Sequence, residues 1–171
     1  AVPLMTYAEL KFILCEYNGY DVADYKDGVE ASLKYWYDLA GKSISNTTID
    51  SYVNAVSGNV NAETCALQKY IDLYTNGTEA WTEIRRTGYP EQLIRPGEIT
   101  CVYNGNKVAF TPLSETKGDI IERVKYPTNE STLNGDNWKA AVDKLADKTN
   151  NYYSKMYWDV RASKYNHPAN K

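Results

Sequence analysis

The sequence predicts a mainly α fold built from helical pairs, with one small β-hairpin excursion. Three observations lead there. Apolar residues recur at i, i+3, i+4 and i+7 in two separate stretches, Leu10/Ile13/Leu14/Tyr17 and Leu67/Tyr70/Ile71/Tyr74, the spacing of one face of an α-helix. These stretches open on Thr6 and Asn61, residues that cap helices, and close on Gly19 and Asn76-Gly77. A single Asn104-Gly105 between two β-prone runs marks a two-residue hairpin, because a type I′ turn needs positive φ twice.

Taken in order, Thr6-Tyr7-Ala8-Glu9 has the form of a capping box before the first stripe. A second helix is expected over Asp27–Ala40, capped by Asp27 or a neighbour, with Val29, Leu33, Trp36 and Ala40 on one side and Gly41 closing it. The two helices have the size of one tetratricopeptide-like hairpin. A lone pair of this kind cannot bury its outer faces. Tyr35 and Tyr37 flank Trp36, so at least one of these rings leaves the inward stripe.

Gly41–Thr48 is expected as a polar loop, followed by a short helix over Ile49–Val56 with Val53 and Val56 inward. Gly58-Asn59 breaks it, and Asn61 caps the central helix, with Glu63 in the first turn. After Asn76-Gly77, Thr78 is placed to cap a further helix whose inner face carries Trp81 and Ile84. Arg85 and Arg86 suit the negative end of its dipole, Gly88 terminates it and Pro90 forbids resumption.

The hairpin then spans Ile99–Tyr103 and Asn106–Phe110. Pro127 holds Tyr126 extended. Asp136 is expected to cap a last helix over Trp138–Ala146, with Trp138, Val142 and Leu145 as its stripe. Val160–Lys171 reads as a polar tail.

Composition narrows the function classes. The 171 residues suffice for one domain with a core. A net charge of −3 argues against a general nucleic-acid binder. Sixteen Tyr and four Trp stand against two Phe, and such rings join a flat apolar face to a polar edge that can stack on a sugar. Cys15, Cys65 and Cys101 are odd in number and widely spaced, which fits neither a disulfide framework nor zinc; each is expected in a core. His167 is the only histidine, so neither a histidine triad nor a zinc site is expected.

No phosphate loop, dinucleotide fingerprint, metalloprotease helix or nucleophile elbow occurs, and no cofactor is implied. Glu9 and Glu16 lie about two turns apart on one helix face; capping and a solvated surface explain them better than acid–base chemistry. Asn46, Asn76 and Asn129 head chance sequons. There is no transmembrane run and no signal-peptide layout.

Four segments carry a resemblance to a known family. They are Tyr7-Ala8-Glu9-Leu10-Lys11-Phe12-Ile13-Leu14-Cys15-Glu16; Gln68-Lys69-Tyr70 with Glu79-Ala80-Trp81-Thr82-Glu83-Ile84-Arg85-Arg86-Thr87-Gly88-Tyr89-Pro90; Arg123, Tyr126-Pro127, Glu130 and Asn134 at matching spacing; and Lys155-Met156-Tyr157-Trp158-Asp159. They resemble, in the right order, signatures of the SusD/RagB family, surface lipoproteins of Bacteroidota-type bacteria. Its members bind nutrients, usually glycans, beside a TonB-dependent transporter.

The resemblance implies a SusD-like α-α superhelix and non-catalytic glycan binding at the cell outer membrane, with delivery to a SusC-like transporter. A peptide-binding or protein–protein module of the same family is the alternative, and a glycoside hydrolase a more distant one. Residues 1–171 read as the C-terminal portion of such a domain. The lipid anchor and much of the glycan site are then expected in a preceding part, itself a partner of this chain. Trp81, Arg85, Arg86, Gly88, Pro90, Arg123, Tyr126, Pro127, Glu130, Asn134 and Trp158 are expected to serve architecture, Arg123 pairing with Glu130 and Asn134 bonding exposed backbone. No residue is assigned to the ligand.

Overall fold

The computed structural model describes residues 4–91, 93, 96–116 and 118–159; the tail from Val160, with His167, lies outside them. The chain divides into two compact units, Ala1–Glu91 and Gln92–Lys171. Among the described residues it is mainly helical with one two-stranded antiparallel sheet, as the sequence predicts. No helix among them is long and apolar enough to cross a membrane.

The first unit holds α1 (Tyr7–Tyr17), α2 (Val22–Leu39), α3 (Asn46–Val56), α4 (Ala62–Asp72) and α5 (Gly77–Thr87). Helix α1 packs on α2 and α4, α2 on α3, and α4 on α5. Every start carries a side-chain cap. Thr6, Asp21, Ser45, Asn61 and Asn76 each accept from a backbone N–H three residues on, and Asn61 with Thr64 completes a reciprocal box.

Three of these boundaries correct the sequence reading. Helix α2 begins at Val22 on the Asp21 cap, leaving Asp27 in mid-helix. Helix α3 begins at Asn46 and shortens the expected loop. Asn76, not Thr78, caps α5. In each case an earlier Asp, Ser or Asn was available, and the helix extends to it because an added turn gains backbone hydrogen bonds.

The core gathers Ala8, Phe12 and Cys15 of α1, Tyr25 and Val29 of α2, Ile49 and Val53 of α3, and Cys65 of α4. Phe12 meets Tyr25 edge to face at 6.2 Å between centroids, and the Tyr25 hydroxyl donates to the Val56 carbonyl at 3.2 Å. Burial pushes the Tyr25 phenol up to about 12. Cys15 and Cys65 are buried free thiols whose pKa burial raises. Cys101, expected in a core, is exposed on the hairpin.

The largest departure concerns which way the stripes face. On α1 the buried positions are Ala8, Glu9, Phe12 and Cys15, while Leu10, Ile13 and Tyr17 are exposed. On α4 the buried positions are Cys65, Ala66, Gln68, Lys69 and Asp72, while Ile71, and Tyr74 just past the helix, are exposed. On both helices the buried face mixes small residues (Ala8, Cys15, Cys65, Ala66) with polar groups that find partners inside, Thr6 with Asp72 and Lys69 with Glu83, and α1 also packs closely on α2. Gly28 shows how close: a Cβ built there would stand 2.9 Å from the Phe12 ring.

The second unit holds β1 (Ile99–Tyr103), β2 (Asn106–Ala109), a 3₁₀ turn at Ser114–Thr116, α6 (Glu130–Leu133) and α7 (Gly135–Val142). Asn104 and Gly105 both take positive φ, +48° and +77°, as the type I′ turn requires. The ladder pairs Tyr103 with Asn106, Val102 with Lys107 and Cys101 with Val108, with a bulge between Ile99 and Cys101. Helix α7 starts at Gly135, so Asp136 sits in its first turn rather than capping it. Val142 and Leu145 are buried as expected, with Trp138 half-buried.

Gly28→Ala is expected to destabilise the fold by about 1–3 kcal/mol, the usual cost of overpacking. Its urea midpoint, measured against wild type with unchanged slope, checks this.

Candidate functional site

A groove runs across α2, α4 and α5, with a cavity volume of about 590 Å³. Val29, Leu33, Leu73, Ala80 and Ile84 line it with aliphatic carbon, and Trp36, Tyr37, Tyr52, Tyr70, Tyr74 and Trp81 add six aromatic rings. Tyr70 and Ile71 of α4 and Tyr74 just past its end line it on one side, and Leu33 and Trp36 of α2, with Tyr37 beside them, on another. The stripes predicted on α2, α4 and α5 thus line the groove, while those on α1, α3 and α7 do not.

Trp36 stands at the centre of the ring cluster. It meets Tyr35 at 5.2 Å and Tyr74 at 5.7 Å, both edge to face. Tyr74 is 81% exposed and offers a free ring face. Polar groups are few. Gln68 donates to the Tyr52 hydroxyl at 3.2 Å, and the Trp36 indole N–H has no partner. Among the described residues, no carboxylate lines the groove.

Beside the groove, the signature residues of α4 and α5 form an ionic lace. Lys69 Nζ bonds Glu83 Oε2 at 3.0 Å, both side chains almost fully buried. Arg86 joins Glu83 at 2.7 Å and grips Glu16 of α1 with two donors, at 2.8 and 2.6 Å. This arrangement links α4, α5 and α1 in series. The Arg86 bonds hold the Glu16 carboxyl below the usual carboxylate range. Glu16 is therefore a clasp residue, not part of a solvated face.

Glu9 departs from that reading differently. It is buried, and burial raises its pKa despite Lys69, with Glu79 and Asp72 adding to the rise. Only the threonine half of the expected capping box forms. Thr6 Oγ1 accepts from the Glu9 N–H at 2.9 Å and donates to Asp72 Oδ2 at 2.8 Å.

The remaining signature residues of this unit make local contacts. The Arg85 guanidinium lies 3.5 Å from the Trp81 ring centroid, a cation–π stack that braces the groove wall. Gly88 takes φ +78° and its N–H bonds the Ile84 carbonyl, the left-handed cap that favours glycine. Thr87 Oγ1 donates to the Glu83 carbonyl and accepts from the Tyr89 N–H. The Tyr89–Pro90 bond is cis, and Pro90 is buried.

The second unit gathers Arg123 and Tyr126 but not their expected partners. Arg123 Nη1 donates to the Asn151 carbonyl at 2.7 Å and to Asn150 Oδ1 at 3.2 Å, and its guanidinium lies over the Tyr126 ring at 4.6 Å. It does not pair with Glu130, which opens α6. Asn134 accepts from the Asn137 side chain instead of capping backbone. Pro127 is exposed, and Trp158 is half-buried near the end of the described chain.

Asn150 also accepts from the Tyr126 N–H and donates to the Tyr126 carbonyl, closing a side-chain-to-backbone ring. Asn150, Asn151, Asp147 and Ser154 organise this unit, and the sequence reading did not single them out. The dipeptide Asn150-Asn151 was the available signal, since Asn side chains mimic backbone turns.

A family model described as "Starch-binding associating with outer membrane", of the SusD-like type, matches residues 1–127. Among solved structures, the chain is similar to a chitin-binding protein at 31% identity and TM-score 0.70, covering 90% of this chain and 32% of that one. It is also similar to a SusD-like protein of Bacteroidetes AC2a at 25% identity and TM-score 0.71, covering 92% and 30%. The chain thus spans about a third of the length of these structures. No curated protein matches it.

Two outcomes are expected of the lace. Glu83→Gln leaves Lys69 buried without its carboxylate and should cost about 3 kcal/mol or more in chemical denaturation. Glu9 has a raised folded-state pKa, so its contribution favours folding at acid pH and is lost as pH rises from the ordinary carboxylate value through the raised one. Glu9→Gln should therefore raise the melting temperature at pH 7 and bring no such gain at pH 4.

Proposed function

This chain belongs to the SusD-like family, and on that premise we propose that it is part of a non-catalytic, glycan-binding protein of the cell outer membrane. In this reading the protein is held at the surface by a lipid anchor and passes its ligand to a SusC-like TonB-dependent transporter. The aromatic groove of α2, α4 and α5 carries the proposal for this part of the molecule. Sugar rings present C–H faces that stack on aromatic rings, and the accessible rings of Tyr37, Tyr52 and Tyr74 surround the groove. The Tyr52 hydroxyl and the Gln68 amide, bonded to each other at the groove, supply the few convergent polar groups a small-molecule site needs. Glycoside hydrolysis needs two carboxylates flanking the scissile bond, and the groove lining has none.

The family description and the chitin-binding neighbour support a polysaccharide as ligand. One observation favours a second reading. The floor, from Val29 to Ile84, is aliphatic, and such a surface accepts apolar peptide side chains more readily than a hydroxylated ring.

Isothermal titration with starch and chitin oligosaccharides, run beside an apolar peptide, separates the two. Binding of at least one oligosaccharide is expected, weakened roughly fivefold to tenfold in Tyr74→Ala, as loss of one stacking ring implies. Because Tyr74 is exposed, that variant should keep its stability. Glycan binding untouched by Tyr74→Ala and Trp36→Ala would move the site off this groove; binding of peptide alone would favour the second reading.

A further inference from the structure

Three cysteines are widely spaced along the chain, yet two of them meet in the core. Cys15 of α1 is fully buried and Cys65 of α4 nearly so. Helices α1 and α4 pack on each other, and two bonds set their register. Thr6, which caps α1, bonds Asp72 at the end of α4, and the Cys65 thiol donates to the Phe12 carbonyl at 3.6 Å. Later positions on α1 thus meet earlier positions on α4, so the two helices run antiparallel. Cys15 lies one turn beyond Phe12. Helical side chains lean toward the helix N-terminus, so the Cys15 thiol leans back over the turn where the Cys65 thiol rests. Each thiol lies within hydrogen-bonding reach of the other.

We propose that Cys15 and Cys65 are joined by a disulfide in the protein as its own cells make it, a cross-link that pins α1 to α4. Packing as a small apolar residue accounts for each cysteine taken singly. Their meeting across two helices about fifty residues apart in sequence selects them as a pair. Cys101, exposed on the hairpin, takes no part. The inference rests on the outer-membrane reading for its compartment, because disulfides persist outside the cytosol and are rare within it.

The oxidant is another disulfide, R–S–S–R, of a small molecule or of an oxidoreductase. One cysteine thiolate attacks it, forming a mixed disulfide and releasing the first R–S⁻. The other thiolate attacks the protein sulfur of that mixed disulfide and releases the second. Two electrons pass to the oxidant, and the two thiol protons end on two R–SH. In the closed core, burial raises the pKa of both thiols and keeps the nucleophilic thiolate scarce. The bond therefore forms during folding, before α1 and α4 close on each other. Once made, it constrains the unfolded chain by a loop of about fifty residues and ties the α4 wall of the groove to α1.

The experiment uses protein recovered from its own cells with the outer membrane, alkylated in denaturant without reductant and then digested. The peptides of Cys15 and Cys65 are expected as one linked species, two hydrogens lighter than the two thiol peptides together, with Cys101 alkylated. Dithiothreitol should lower the melting temperature by at least about 4 °C. Cys101→Ala should keep that shift. Cys15→Ala and Cys65→Ala should each abolish it, whatever their own stability. The peptide map needs no variant and decides the pairing alone.

Cys15 and Cys65 both alkylated in protein found at the outer membrane would overturn the proposal and leave the glycan reading standing. Absence of the protein from that membrane would overturn both. A link from either cysteine to Cys101 or to another chain, or a reductant shift that survives Cys15→Ala, would overturn the proposal as well.

Discussion

The arrangement of the first unit depends on where Lys69 can lie. Its ammonium is buried in the last turn of α4, and a buried charge survives only with a bonded partner. Glu83 is that partner, and Glu83 in turn holds Arg86, which reaches Glu16 seventy residues away in sequence. The lace therefore fixes the rotation of α4 and ties α5 to α1. Buried ion pairs of this kind specify geometry more than they add stability, since desolvation offsets most of the attraction.

Once α4 is turned to bring Lys69 and Asp72 inward, its apolar stripe must face elsewhere. Tyr70, Ile71 and Tyr74 then meet Trp36 and Trp81 across an open groove rather than in a closed core. Arg85 completes the wall by lying on Trp81. Signature residues thus both line the groove, as Tyr70 and Trp81 do, and brace it from beside, as Lys69, Glu83 and Arg85 do. The same inversion occurs on α1, where Phe12 packs against Gly28 and the core of Ala8, Cys15 and Cys65 while Leu10, Ile13 and Tyr17 face outward.

The second unit is held together by another kind of contact. Its hairpin is exposed along both strands. Order there comes from side-chain-to-backbone bonds centred on Asn150, Asn151 and Arg123, with Ser154 and Asn151 both donating to Asp147. Such networks replace apolar burial where the segments are short and irregular, and they hold one conformation because every member satisfies another.

Much of this was legible locally. The caps at Thr6 and Asn61, the Gly88 terminator and the Asn104-Gly105 turn each follow from one or two residues whose preferred backbone or bonding admits little choice. Motif order carried the family. Helix faces were not legible, because α1 and α4 are amphipathic in two directions and periodicity locates a stripe without saying whether a core, a groove or a partner lies against it. Likewise nothing in the spacing of Arg123 and Glu130 tells that Asn151, twenty-eight residues on, competes for the guanidinium and wins. The sequence by itself determined the elements, several of their caps and the membership in a family, since those rest on short-range chemistry. Only the tertiary structure decided which faces turn inward, because that depends on charges and close contacts brought together from distant parts of the chain.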